Sequence, residues 1–165
     1  MALRGPAATQ PEFTLADGTP RNVPVAPAVA YEVACTLTPG TARTINIDLT
    51  QSAGRYVRLT FEATNAGQGY VRLDRTQSGQ TGFAESFASV ESAPVRLVEG
   101  QLTLRVLVDA SSMEVFINEG ERVISDLFFP DGPITGLKVT TTGGNATIQN
   151  LTVWPLQPTM LAQKP

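Results

Sequence analysis

Histidine is absent from this sequence of 165 residues, and cysteine and tryptophan occur once each. Without histidine there is no Ser-His-Asp triad, and most zinc sites lose a usual ligand. A nucleophilic cysteine ordinarily relies on a histidine partner, which Cys35 lacks. With no second thiol, an internal disulfide is excluded. Cys35 stands inside the apolar run 31–37 and reads as a buried, inert thiol. Basic charge is scarce too: 12 Lys and Arg against 15 Asp and Glu leave a net charge of −3. Nucleic acid, which demands a basic stripe, is therefore not an expected partner. No apolar run approaches the roughly 18 residues of a membrane span, so no membrane partner is expected either. Residues 1–30 lack the basic start and continuous apolar core of a secretory signal; a secreted protein would carry its leader outside this sequence. No window of 10 residues has convincing helical periodicity, and no repeat at fixed period points to a propeller or solenoid.

What remains is a strand pattern. Hydrophobic residues make up 42% of the chain and charged ones 16%, too apolar for disorder. The length suits one domain that removes about 70% of its unfolded surface from water. Residues 1–30 hold Pro6, Pro11, Pro20, Pro24 and Pro27 among small residues and read as a linker or a strap laid over a neighbour, with Phe13 and Leu15 anchoring a short edge strand. From Tyr31 on, short apolar runs alternate with turns: 31–37, 43–49, 56–61, 69–74, 83–87, 95–97, 134–141 and 146–154. Strands at this spacing, divided by Gly, Pro and Asn turns, predict an all-β fold, a two-sheet antiparallel β-sandwich of the concanavalin or jelly-roll kind. The expected partition is a strap at 1–30, a sandwich at 31–155 and a tail at 156–165.

The centre of the pattern is 102–130. Leu102, Leu104, Val106 and Val108 share one parity, and Met113, Val115 and Ile117 continue it after an Ala-Ser turn. Side chains alternate faces along a strand, so this is a meander with one face in the core. Asn118-Glu119-Gly120 suits a hairpin loop with Gly120 left-handed, and Pro130, lacking an amide donor, ends the third strand, 122–129. The opposite parity gathers Arg105, Asp109, Glu114 and Phe116, with Glu119 at the loop. Carboxylates and an arginine suit sugar hydroxyls, and an aromatic surface suits the ring face. The competing reading is a solvated sheet face with cross-strand ion pairs. Asp109 also has a purely local reading, an Asp opening a turn and accepting amides two or three residues on. Arg75, in the polar loop Asp74-Arg75-Thr76-Gln77-Ser78-Gly79, either forks onto a ligand or forms an Asp–Arg pair pinning the loop. A glycosidase pair at Asp109 and Glu114 lacks a deep pocket around it. A calcium set at Asp109, Glu114 and Glu119 has no matching loop spacing, so no metal or cofactor is expected.

The run Asp109-Ala-Ser-Ser-Met-Glu-Val-Phe, followed by Phe128-Phe129-Pro130, resembles the C-terminal β-sandwich of glycoside hydrolase family 32, the invertases, inulinases and levanases. Leu73-Asp74-Arg75 with Ser78-Gly79, and the closing Val153-Trp154, fit the same family in order, so the likeness spans 31–155. Ala110 departs from the larger or charged residue frequent there. The family's catalytic acids belong to an N-terminal propeller, in Asn-Asp-Pro-Asn, Arg-Asp-Pro and Glu-Cys motifs that do not occur here. The resemblance therefore implies a non-catalytic domain with two alternatives. One is a module binding fructan or fructo-oligosaccharide, as related levan-binding modules do. The other is a structural domain that docks on a glycosidase propeller or forms a homodimer. It also implies an extracellular setting as part of a secreted enzyme.

Overall fold

A computed structural model of the chain describes residues 3–157. The alternating runs form strands, and the buried parity of each is the apolar one. One sheet is built on β5 (Ala30–Thr38), β10 (Leu102–Val108), β11 (Ser112–Ile117), β12 (Arg122–Leu127) and β14 (Ala146–Gln157), in the order β14-β5-β10-β11-β12. The other comprises β4 (Arg21–Pro24), β13 (Ile134–Thr142), β6 (Thr44–Gln51), β7 (Tyr56–Asn65), β8 (Gln68–Asp74) and β9 (Val90–Arg96), paired in that order. Every pairing is antiparallel. The fold is the all-β sandwich expected. Its core lies between the sheets, where Leu102, Val115, Ile117, Ile148, Val57 and Val139 are fully buried. Each such side chain removed from water contributes roughly 1.5–3 kcal/mol. Cys35 is also in that core, and burial pushes its thiol up to about 12, so it is inert as expected. No helix among the described residues is long and apolar enough to cross a membrane.

The proline-rich start lies along sheet edges. β1 (Leu3–Arg4), β2 (Ala8–Thr9) and β3 (Phe13–Leu15) pair in succession with β14, and β4 then crosses to β13 of the opposite sheet. Proline interrupts these strands but an edge strand needs only one row of donors, so the short pieces between prolines still pair. Leu15 and Val23 reach the core. The tail expected at 156–165 begins inside β14, which runs through Leu156 and Gln157; residues 158–165 lie outside the described residues.

Three expected strands changed. Residues 83–87 form turns, with the amide of Phe87 donating to the carbonyl of Ala84, because Phe83, Phe87 and Phe129 gather their rings on each other. The strand expected at 95–97 begins earlier, at Val90. Only Ala93 and Val95 of β9 are buried, so its polar residues and Pro94 concealed an edge strand. The third strand of the meander stops at Leu127. Phe128 then turns into the core, and its amide donates to the carbonyl of Ser111.

Candidate functional site

β10 and β11 carry Leu104, Val106, Met113, Val115 and Ile117 inward, which turns Thr103, Arg105, Leu107, Glu114 and Phe116 to the outer face. The register sets Arg105 opposite Phe116 and Leu107 opposite Glu114. The hairpin that follows supplies a rim. Asn118, Glu119 and Gly120 all have positive φ, at 48°, 58° and 94°. Gly120 adopts the left-handed conformation expected, and two non-glycine residues share it, which costs free energy that the surroundings must offset. Asn118 supplies that support: its Oδ1 accepts the amide of Thr103 and its Nδ2 donates to the carbonyl of Arg96. Glu119 is thereby held at the end of the strand pair. Thr103, Arg105, Phe116 and Glu119 line a depression of about 300 Å³.

Arg105 is fixed from below. Its Nε donates to Oε1 of Glu32 at 2.6 Å, and Glu32 is only 3% exposed although it stands on the outer parity of β5. Arg4 of β1 completes the burial: its Nε donates to Oε2 at 2.7 Å and its Nη2 to Oε1 at 2.5 Å. The Arg4 guanidinium also lies 4.6 Å from the ring centre of Trp154. The hydrogen bonds from Arg4, and then those from Arg105, hold the Glu32 carboxyl below its ordinary 4.5 despite burial. The side chain of Arg105 is half exposed, so the rest of its guanidinium faces solvent, with Phe116 opposite Arg105 in the register. A bound sugar could meet three things here: an oriented donor, a half-buried aromatic surface and a carboxylate.

The structure divides the six residues singled out in the sequence. Arg105, Phe116 and Glu119 share the depression, and Glu114 lies two residues along β11 on the same face. Asp109 is at the other end of β11, about 20 Å from Glu119 for a six-residue strand at ~3.3 Å per residue. It closes its own turn, accepting the amide of Ala110, one residue on, at 2.7 Å. It also borders a separate depression of about 310 Å³ with Val29, Phe128, Pro130 and Pro133. Among the described residues no three acidic, histidine or cysteine side chains are placed to hold a metal ion.

Arg75 is engaged elsewhere. Its Nη1 donates to Asp126 at 2.5 Å and to the carbonyl of Leu127, its Nε to Ser89, and its guanidinium covers the Phe87 ring at 4.2 Å. The pinning acid is thus Asp126 of β12, while Asp74 accepts from Thr76. The same loop approaches Phe129 so closely that a Cβ on Gly79 would stand 2.5 Å from its carbonyl oxygen. Sequence reasoning missed Glu32 and Arg4. The signal available was a glutamate in an otherwise apolar run, Tyr31-Glu32-Val33-Ala34-Cys35, where an unpaired charge is not tolerated.

Comparison with known proteins adds the following. The family described as "Glycosyl hydrolases family 32 C terminal" matches residues 2–155. A levanase of Bacillus subtilis is 32% identical over 131 residues, covering 78% of this chain and 19% of the levanase. An extracellular exo-inulinase of Aspergillus niger is 35% identical over 104 residues, covering 62% of this chain and 19% of that protein. The chain spans about a fifth of the length of the curated relatives it matches. Among solved structures, exo-inulinase from Aspergillus awamori superposes with a TM-score of 0.72 at 25% identity, covering 92% of this chain and 29% of that one. Fructan 1-exohydrolase IIa from Cichorium intybus reaches 0.80 at 14% identity, covering 94% and 36%, a likeness of fold.

Proposed function

The chain belongs to the C-terminal domains of glycosyl hydrolase family 32, and from that premise we propose that it is a non-catalytic fructan-binding accessory domain. Its site is the depression of Arg105, Phe116 and Glu119, with Glu114 beside it. The observation that carries this reading is the orientation of Arg105: a buried glutamate fixes its guanidinium, and the aromatic Phe116 stands opposite it in the register and lines the same open depression. A pre-oriented donor loses less freedom on binding, which is how a shallow site gains affinity for hydroxyl groups. The relatives bear the names levanase and exo-inulinase, and levan and inulin are both fructans. The exo-inulinase relatives are named extracellular, which supports action outside the cell; the family resemblance adds a propeller catalytic domain on the same chain. Catalysis is assigned to that other part, because glycoside hydrolysis needs two carboxyls flanking an enclosed bond and this face is open.

Titration with levan, inulin and short fructo-oligosaccharides by calorimetry tests the reading. Binding of a shallow site is expected near a millimolar to high-micromolar Kd, about 4–6 kcal/mol. Arg105→Ala and Phe116→Ala each weaken it about tenfold or more, with the fold intact. Absence of heat at millimolar ligand sinks the proposal.

A second reading, an interaction domain docked on a propeller or on a second copy, is favoured by one observation. Phe83, Phe87 and Phe129 cluster with ring centres 4.5–5.5 Å apart, Phe87 stacked on Phe129 and Phe83 tilted or edge-on to both, and Phe83 is 62% exposed. Exposed aromatic clusters of this kind mark contact surfaces. Sedimentation of the wild type and Phe83→Ser reports a homodimer through this patch.

A further inference from the structure

The opposite sheet repeats the arrangement. On its outer face Asp48 of β6, 3% exposed, accepts Nε of Arg58 at 2.6 Å and Nη2 at 2.9 Å. The Arg58 guanidinium lies 4.9 Å from the ring centre of Tyr56, two residues along β7. A buried carboxylate on one strand thus fixes an arginine on the next, as Glu32 does for Arg105, and here the arginine also lies over an aromatic ring, where Arg105 has Phe116 as its register partner. Lys138 of β13 stands directly across from Asp48 in the register, exposed, and makes no ion pair among the described residues. These residues, with Thr50 and Arg55, border a depression of about 410 Å³.

The geometry points to a second saccharide-binding site here, centred on Arg58, Tyr56 and Lys138, which makes the domain bivalent for a polymeric glycan. The ligand class rests on the reading above, while the residues are independent of it. Charge decides between a neutral sugar and an anion. Asp48 cancels Arg58, and Asp131 lies 3.8 Å from Arg55, so Lys138 alone is uncompensated. A site built for phosphate or sulfate would leave several cations free to neutralise it. One free ammonium, the Arg58 Nη1 unused by Asp48 and the Tyr56 ring suit the hydroxyls and ring face of an uncharged sugar. The two sites lie on opposite outer faces of a sandwich whose sheets alone stand about 10 Å apart. A short oligosaccharide therefore fills either site separately. A long fructan engages both, and the second engagement is favoured by effective concentration.

Amide shifts of the 165-residue chain titrated with a fructo-oligosaccharide test this, together with retention on immobilised levan. Two separate groups of shifted amides are expected, one within 103–119 and one around Tyr56, Arg58 and Lys138. The double variant Tyr56→Ala/Lys138→Ala, which removes two surface side chains, erases the second group and leaves the first unchanged. It also lowers retention on levan about tenfold or more. Shifts confined to 103–119 overturn the proposal and leave the first site standing. Shifts confined to the second group overturn bivalency and the first site together, leaving Arg58, Tyr56 and Lys138 as the single saccharide site. Shifts there with inorganic phosphate, and none with sugar, overturn it in favour of an anion site.

Discussion

Glu32 and Asp48 are equally buried, each on the outward parity of its sheet, and they are neutralised in opposite ways. Asp48 has one partner ten residues away, Arg58, which grips both oxygens across the β6–β7 hairpin. Glu32 has two: Arg105, 73 residues on, and Arg4, 28 residues back on an edge strand of two residues. The first pair is local and single, complete once one hairpin has formed. The second is redundant and non-local, complete only when β1, β5 and β10 have come together. A buried charge tolerates either solution, because what it cannot tolerate is no partner. The difference lies in what a single substitution exposes.

Breaking the local pair has the largest effect. Arg58→Ala strips Asp48 of both arginine hydrogen bonds, with the exposed Lys138 across the register as a remaining cation, and we expect a loss of roughly 2–3 kcal/mol, less than for a fully buried pair because Arg58 is one-third exposed. Arg105→Ala costs less than about 1 kcal/mol, because Arg4 remains on Glu32. Urea midpoints at constant slope measure both. Replacing Asp48 and Arg58 together by valine restores most of the loss; failure of that rescue shows that the arginine stabilises by something other than pairing.

Next in size is the redundancy itself. Arg4→Ala and Arg105→Ala are each mild, and the double variant loses distinctly more than their sum. Strict additivity in this cycle means that the two arginines do not share the burden of Glu32.

The smallest effect is read by pH. Glu32 is held below its ordinary value when folded, so it contributes stability that is fully present above pH 4.5. That contribution is lost as the pH falls through the depressed folded value. Carboxyl titration should place Glu32 below 4.5 in the wild type. It should move further up in Arg4→Ala than in Arg105→Ala, since the Arg4 hydrogen bonds are the larger cause. The reverse order assigns Glu32 chiefly to Arg105.

The meander was legible in the sequence because its period of two is unbroken and one parity is wholly apolar, from Leu102 to Ile117. The loop Asn118-Glu119-Gly120 was legible by its composition, whereas Asp109 accepts, among the described residues, only the amide of Ala110, and its turn is closed by its own amide donating to the carbonyl of Ser112. The first part of β9, residues 90–94, escaped because an edge strand with a single buried pair, Ala93 and Val95, looks like a loop. The false strand at 83–87 shows the converse. The run 83–87 has the apolar residues of a strand, yet Phe83 and Phe87 satisfy each other and Phe129. Half of the candidate site, Arg105, Phe116 and Glu119, follows from neighbouring strands and so from sequence. Glu32 and Arg4 do not, because nothing in local pattern reveals that residues 4, 32 and 105 meet. Asp109 shares the outward parity and Glu119 follows at the loop, but parity fixes a face and not a distance along it, and a strand holds its two ends apart.

The pairing of Leu3 with Gln157 and of Arg4 with Leu156 has a mechanical consequence. Because β1 runs antiparallel to β14, tension drawn between those two ends does not shear the strands. It peels them, breaking one set of hydrogen bonds at a time, the weakest way to load a sheet. Arg4 is the second residue to lift, and it leaves Glu32 to Arg105 alone. A pull on the domain is therefore felt at the arginine of the candidate site before any core residue has moved.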